Sequence, residues 1–135
     1  MSGRVRVLAT KLGLDGHDRG LRLIAHELRD SGVEVIFLGV ATRPEEAARA
    51  AVDEDVDAIA VSLLSGSHLA HVGKLLATLK TFDADIPVVC GGLIPERDVQ
   101  ALLDLGVHSV CPVGVPVRRA GAMILEAVDP AVSRS

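Results

Sequence analysis

The sequence predicts an α/β fold: an open, doubly wound sheet of five parallel strands in the order 2-1-3-4-5, with helices on both faces. Three observations lead there. Five short runs of aliphatic, β-favouring residues recur at 5–10, 33–38, 58–61, 86–90 and 109–111. A longer stretch with helical periodicity follows each run. The runs are apolar without alternation, as strands covered on both faces require.

The elements follow in order. After the first run, Leu21, Ile24, Ala25 and Leu28 fall on one helical face, and Gly32 stands where that helix would end. After the second, Pro44 opens a helix, with Glu45 and Glu46 in a first turn that favours acids. After the third, Leu69, Val72, Leu75, Leu76 and Leu79 share a face. After the fourth, Pro95 and Glu96 mark a helix start and Gly106 its end, and Pro116 starts the last helix after the fifth. The connection over 11–19 is long, and long connections in compact domains usually carry function. The strand order is the flavodoxin-like one. Residues 1–135 read as a single domain with a core over about 4–128, and 129–135 as a polar tail.

Composition narrows the function. The chain has 49% apolar and 24% charged residues, a balance that excludes disorder. It has no Trp or Tyr, only Phe37 and Phe82, and a net charge of −4. Nucleic-acid binding, which wants stacking aromatics and a basic field, is therefore not expected. Cys90 and Cys111 lack partners at metal-ligand spacing; a single disulfide between them is one reading, and reduced core residues the commoner one. No apolar stretch approaches a membrane span, and a strand begins almost at the N-terminus, so the expectation is a cytoplasmic protein without a leader.

In a sheet of this order, ligands bind beyond the carboxyl ends of the strands where the order reverses, between the first and third. The loop bearing His17, the segment Ser62-Leu63-Leu64-Ser65-Gly66 and the pair Gly91-Gly92 all converge there. A neutral histidine can bind a metal through one ring nitrogen while the other donates to a carboxylate. Asp15 stands two residues before His17 and could be that acceptor, with Lys11 holding Asp15 ionised. Taken singly, Asp15-x-His17 also reads as a surface loop, Ser62 as a strand-ending cap and Gly91-Gly92 as a tight turn. His68 and His71, spaced i, i+3 without a third ligand, read as a solvated or interface face.

Together, Asp15-x-His17-x-x-Gly20, Ser62-x-Leu64 and Gly91-Gly92 resemble the cobalamin-binding module shared by B12-dependent mutases and methionine synthase. The longer strings Lys11-x-Gly13-x-Asp15-Gly16-His17-Asp18-Arg19-Gly20, Ser65-Gly66-x-His68 and Gly91-Gly92-x-Ile94-Pro95 are similar to the acyl-CoA mutase branch, which acts on methylmalonyl-, isobutyryl- and 2-hydroxyisobutyryl-CoA. The resemblance covers residues 5–128.

It implies base-off binding with His17 as the cobalt's lower axial ligand and Asp15 and Lys11 behind it. Ser62 would hydrogen-bond the displaced benzimidazole, Leu64 would line its pocket, and Gly91 and Gly92 would pass close to the tail. Gly16, Asp18, Arg19, Gly20, Ser65, Gly66 and Gly114 complete the implied binding set. The cofactor would be adenosylcobalamin, and no residue of this chain would be catalytic. A large barrel subunit would bind the acyl-CoA and complete an isomerase inactive without it. Loops around His17, Thr42, 65–68 and 93–95 would surround the exposed corrin face and meet that partner, with His68 and Ile94 at the contact. The alternatives are a corrinoid carrier for methyl transfer and a cobalamin-binding module with no reaction of its own.

Two stretches depart from the family pattern: Arg43 stands where Thr or Ser usually precedes Pro44, and Pro112-Val113-Gly114-Val115-Pro116 replaces a Gly-Pro-Gly-Thr-like turn. A response-regulator receiver is excluded because Ser62 occupies the position its acidic phosphoacceptor needs.

Overall fold

The computed structural model describes residues 5–12, 19–63, 68–112 and 114–128, except the side chains of residues 39–42 and of His68. The elements alternate as β1 (Arg6–Leu12), α1 (Arg19–Asp30), β2 (Glu34–Thr42), α2 (Pro44–Asp53), β3 (Ala58–Leu63), α3 (His68–Thr81), β4 (Val88–Gly92), α4 (Glu96–Leu105), β5 (Ser109–Val110) and α5 (Val117–Val128). All strand pairings are parallel, in the order β2-β1-β3-β4-β5. The chain steps one way from β1 to β2 and the other way for every later crossover. Right-handed crossovers therefore place α1 on one face and α2, α3 and α4 on the other. α5 returns to pack on α1.

The two faces are filled differently. Toward α2, α3 and α4 the strands present Leu8, Leu12, Ile59, Val61, Leu63, Val88, Cys90 and Val110. Toward α1 and α5 they present Val7, Ala58, Ala60, Val89 and Cys111, under Leu28, Ala120, Ile124 and Ala127. Branched side chains thus pack the first face closely, whereas the second thins to small residues toward its carboxyl edge. Thr10, alternating with Leu8 and Leu12, is fully buried, and its Oγ1 has no hydrogen-bond partner.

Four helices end alike. The backbone N–H of Val33 donates to Leu28, that of Val56 to Ala51, that of Ala84 to Leu79 and that of Val107 to Leu102. This closure needs a left-handed residue just before each donor. Gly32 and Gly106 supply it as expected, at φ of 90° and 120°; Asp55 and Asp83 supply the other two. At the start of α2, Arg43 has no acceptor oxygen of its own, and the Glu46 carboxylate instead accepts the Arg43 backbone N–H at 3.2 Å.

The carboxyl ends of the strands run further than the apolar runs. Lys11 and Leu12 extend β1, Ser62 and Leu63 extend β3, and Gly91 and Gly92 belong to β4. The connection expected over 11–19 is shorter than that, since Arg19 already opens α1.

Candidate functional site

Register builds the site. Lys11 pairs with Ser62, and Ser62 pairs with Gly91, across three neighbouring strands. Alternation from Val7, Ala58 and Val89 turns all three toward α1 and α5. The row beneath them is Ala9, Ala60 and Val89. Small side chains at consecutive levels leave a cavity of about 400 Å³ at the junction of β1 and β3, where the strand order reverses. Gly20, Leu21, Leu23 and Ile24 of α1 and Val117, Ala120 and Ile124 of α5 roof it. Pro112, Gly114 and Val115 close one end. Leu23 and Leu93, 47% and 56% exposed, form an apolar rim.

The walls are largely apolar and the polar groups few. Lys11 is 3% exposed. Burial pushes the Cys90 thiol up to about 12, with neighbouring Cys111 adding to the shift. Cys111 is raised by burial against the opposing pull of Arg119, and its Sγ lies 3.6 Å from Met123 Sδ. Both cysteines are free thiols, as read from the sequence. Burial thus disfavours the thiolate, the reactive form, at both positions.

The two glycines of β4 do different things. Gly92 has φ of 113°, and a Cβ there would sit 2.2 Å from the Leu63 carbonyl oxygen. Its lack of a side chain is thus demanded by packing against β3. Gly91 has no such constraint: a Cβ would meet only the Cys111 Cβ, at 3.5 Å, an ordinary contact. Gly20 also has open space where its Cβ would be.

Of the residues read as binding from the sequence, the cavity brings together Lys11, Arg19, Gly20, Ser62, Gly91, Gly92 and Gly114. Asp15, Gly16, His17, Asp18, Leu64, Ser65 and Gly66 lie outside the described residues. Ile94, expected at the rim, is 5% exposed and packs in the core on the α2–α4 face; exposed Leu93 occupies the rim instead. The roof residues Ile24, Ala120 and Ile124 were not anticipated. Among the described residues no group of three His, Cys, Asp or Glu could hold a metal ion, and no helix is long and apolar enough to cross a membrane.

The family model described as a B12 binding domain matches residues 5–116. The chain belongs to the B12-binding domain family. This B12-binding domain is 46% identical over 107 residues to the 2-hydroxyisobutanoyl-CoA mutase small subunit of Aquincola tertiaricarbonis, a match covering 78% of this chain and 79% of that subunit. It is 39% identical over 127 residues to the mitochondrial methylmalonyl-CoA mutase of Mus musculus, covering 93% of this chain and 17% of that enzyme. In fold it resembles a cobalamin-binding protein from Desulfitobacterium hafniense DCB-2, with a TM-score of 0.80 over 93% of this chain and 60% of that one, at 17% identity.

Proposed function

We propose that this B12-binding domain, a single unit of residues 1–135, carries adenosylcobalamin base-off with His17 on the cobalt. It presents the cofactor, in the cytoplasm, to a separate barrel subunit that rearranges an acyl-CoA thioester. The observation that carries the reading is the cavity at the β1–β3 carboxyl edge, with Lys11, Ser62 and Gly91 in register along its floor. The residues present fit a displaced nucleotide tail. Ala60, Val89, Ile24 and Ile124 offer apolar walls to a flat aromatic base, and the missing Cβ of Gly91 keeps the floor open. The match over 79% of a mutase small subunit supports a two-chain enzyme.

Bound adenosylcobalamin supplies a cobalt–carbon bond whose homolysis initiates radical rearrangement. The chain's own residues bind and orient. The Ser62 hydroxyl would donate to a ring nitrogen of the tail base. The imidazole of His17 would hold the cobalt through one nitrogen, and Asp15 would accept the N–H of the other, which would fix the tautomer. Lys11, buried on the cavity floor, would support Asp15 from behind. The cavity opens at the sheet edge, so shielding the reacting thioester from water falls to the partner subunit.

The test is titration with hydroxo- and adenosylcobalamin, followed by visible absorbance and by electron paramagnetic resonance of the reduced cobalt(II) form. The wild type should show a base-off, imidazole-ligated spectrum, and His17→Ala should lose the nitrogen hyperfine coupling while still folding. Unchanged coupling in His17→Ala would refute the ligand assignment. Acyl-CoA isomerisation should need an added barrel subunit; turnover by this chain alone refutes the two-subunit reading, and methyl transfer to a thiol or folate replaces it with a corrinoid carrier.

A further inference from the structure

The exposed large apolar side chains sort by place. Among the described residues, Leu23 and Leu93 rim the cavity, and Phe82 lies under the Arg49 guanidinium, 5.9 Å from its ring centroid. That leaves Leu103 and Leu105 of α4, 38% and 45% exposed, on the sheet face away from the cavity. The sense of the helical turn puts Leu105, with Ala101, on the flank toward α3, and Leu103 on the other flank. Leu69, Gly73 and Leu76 stand on the facing flank of α3. The end of α4 closes on α3, where a Cβ on Gly106 would lie 3.8 Å from Leu76 Cδ1, but a Cβ on Gly73 would meet nothing within 4 Å. A recess is therefore open between the two helices, and exposed Ala70 and Ala77 give α3 a smooth outer surface. The outer row of α4 is Arg97, Gln100 and Asp104, all exposed, and the Gln100 amide donates to the Asp104 carboxylate at 2.9 Å. Glu96 and Asp98 suit the first turn of this helix, whereas Arg97 beside them and Asp104 in the last turn both oppose its dipole.

We propose that the α3–α4 face binds a second copy of this chain, with α4 antiparallel to α4 about a two-fold axis. The charges point to that occupant because they are complementary to themselves. Arg97 and Asp104 stand two helical turns apart, so reversing one helix on the other sets Arg97 of each copy against Asp104 of the other, twice by symmetry. Each charge then also lies at the favourable end of the other copy's helix dipole. In the same arrangement Leu105 of each copy falls on the recess that Leu69, Gly73 and Ala101 of the other leave open. Ala70 and Ala77, lacking long side chains, let α3 come close to its counterpart. The contact lies on the opposite sheet face from the cavity, so both cavities of the pair stay accessible.

The experiment is sedimentation equilibrium of the full chain and of variants shown folded by circular dichroism. The wild type should dimerise reversibly, and less tightly as salt is raised. Leu105→Glu should raise the dissociation constant of the dimer by about tenfold or more, whereas Leu103→Glu, on the other flank, should change it by less than about threefold. Arg97→Asp and Asp104→Arg should each weaken the dimer, and the double variant, which restores both pairs with their charges exchanged, should recover it. A wild type that stays monomeric up to about 0.5 mM overturns the proposal. A dimer that Leu105→Glu leaves intact overturns it too, because the contact then lies elsewhere. Failure of the charge-exchanged variant to recover association overturns the antiparallel arrangement. If the chain is monomeric and Leu105→Glu instead weakens its binding to an added barrel subunit, the face belongs to that partner and not to a second copy.

Discussion

Replacing Gly92 by alanine separates the two adjacent glycines by stability alone. The new methyl carbon would lie 2.2 Å from the Leu63 carbonyl oxygen and 2.9 Å from its nitrogen, both backbone atoms that no side-chain rotation can move. The residue would also be held at φ of 113°, a conformation costing about 1–3 kcal/mol for anything but glycine. Relief requires the ends of β3 and β4 to part, which breaks the 2.9 Å bond from the Leu93 N–H to the Leu63 carbonyl; an unsatisfied buried group adds about 1–3 kcal/mol. The total is about 2–6 kcal/mol. At roughly 3–5 °C per kcal/mol for a chain of this length, the melting temperature should fall by about 6–30 °C. Gly91→Ala, whose Cβ meets only an ordinary contact, should melt close to the wild type. Thermal and urea unfolding followed by far-ultraviolet circular dichroism give both values. If Gly92→Ala melts within about 2 °C of the wild type, the packing argument for this glycine is wrong.

Other outcomes follow from single residues. Ser62→Ala should weaken cobalamin binding by roughly 1–3 kcal/mol in the same absorbance titration, with cobinamide binding little changed. Thr10→Val replaces a buried hydroxyl that has no partner by a methyl of similar shape and should raise stability by about 0.5–1.5 kcal/mol, read as a higher urea midpoint at unchanged slope. The Cys90 thiol is pushed up to about 12, so the native state holds its proton more tightly than the unfolded chain does. The stability this contributes is complete below the ordinary thiol pKa and is lost as pH rises through the folded value. Melting temperatures at pH 8 and pH 10 should therefore diverge more in the wild type than in Cys90→Ala, and iodoacetamide at pH 8 should label Cys90 only after denaturant is added.

The fold was legible because parallel strands buried on both faces announce themselves as unbroken apolar runs, and prolines and glycines marked most helix boundaries. The strand ends were not. Every run that was read short at its carboxyl end stops where Lys11, Ser62 or Gly91 replaces an apolar residue, except in β2. Those interruptions are the floor of the cavity, so the pattern failed where the fold yields to the ligand. Asp55 and Asp83 escaped notice because their left-handed conformation depends on helix-end geometry that an aspartate does not advertise as a glycine does. The roof residues of α1 and α5 were hidden for another reason. Which helices share a face depends on crossover directions, and a hydrophobic stripe alone does not distinguish packing on strands from packing over a void. Ile94 shows the converse: beside a glycine pair at the sheet edge it read as a contact residue, yet one position separates it from exposed Leu93 and turns it into the core.

The thinly filled face of the sheet sets stability against ligand capacity. Val or Leu at positions 60 and 91 would complete the apolar layer and strengthen the fold, but would leave no room for a guest; robustness has been exchanged there for reception. A ligand that binds only the native state restores the difference by mass action, about 2.7 kcal/mol at a concentration a hundred times its dissociation constant. The ligand-free form unfolds more often and is exposed to proteases in proportion. Added cobalamin should therefore raise the melting temperature of the purified chain and slow its digestion by a protease.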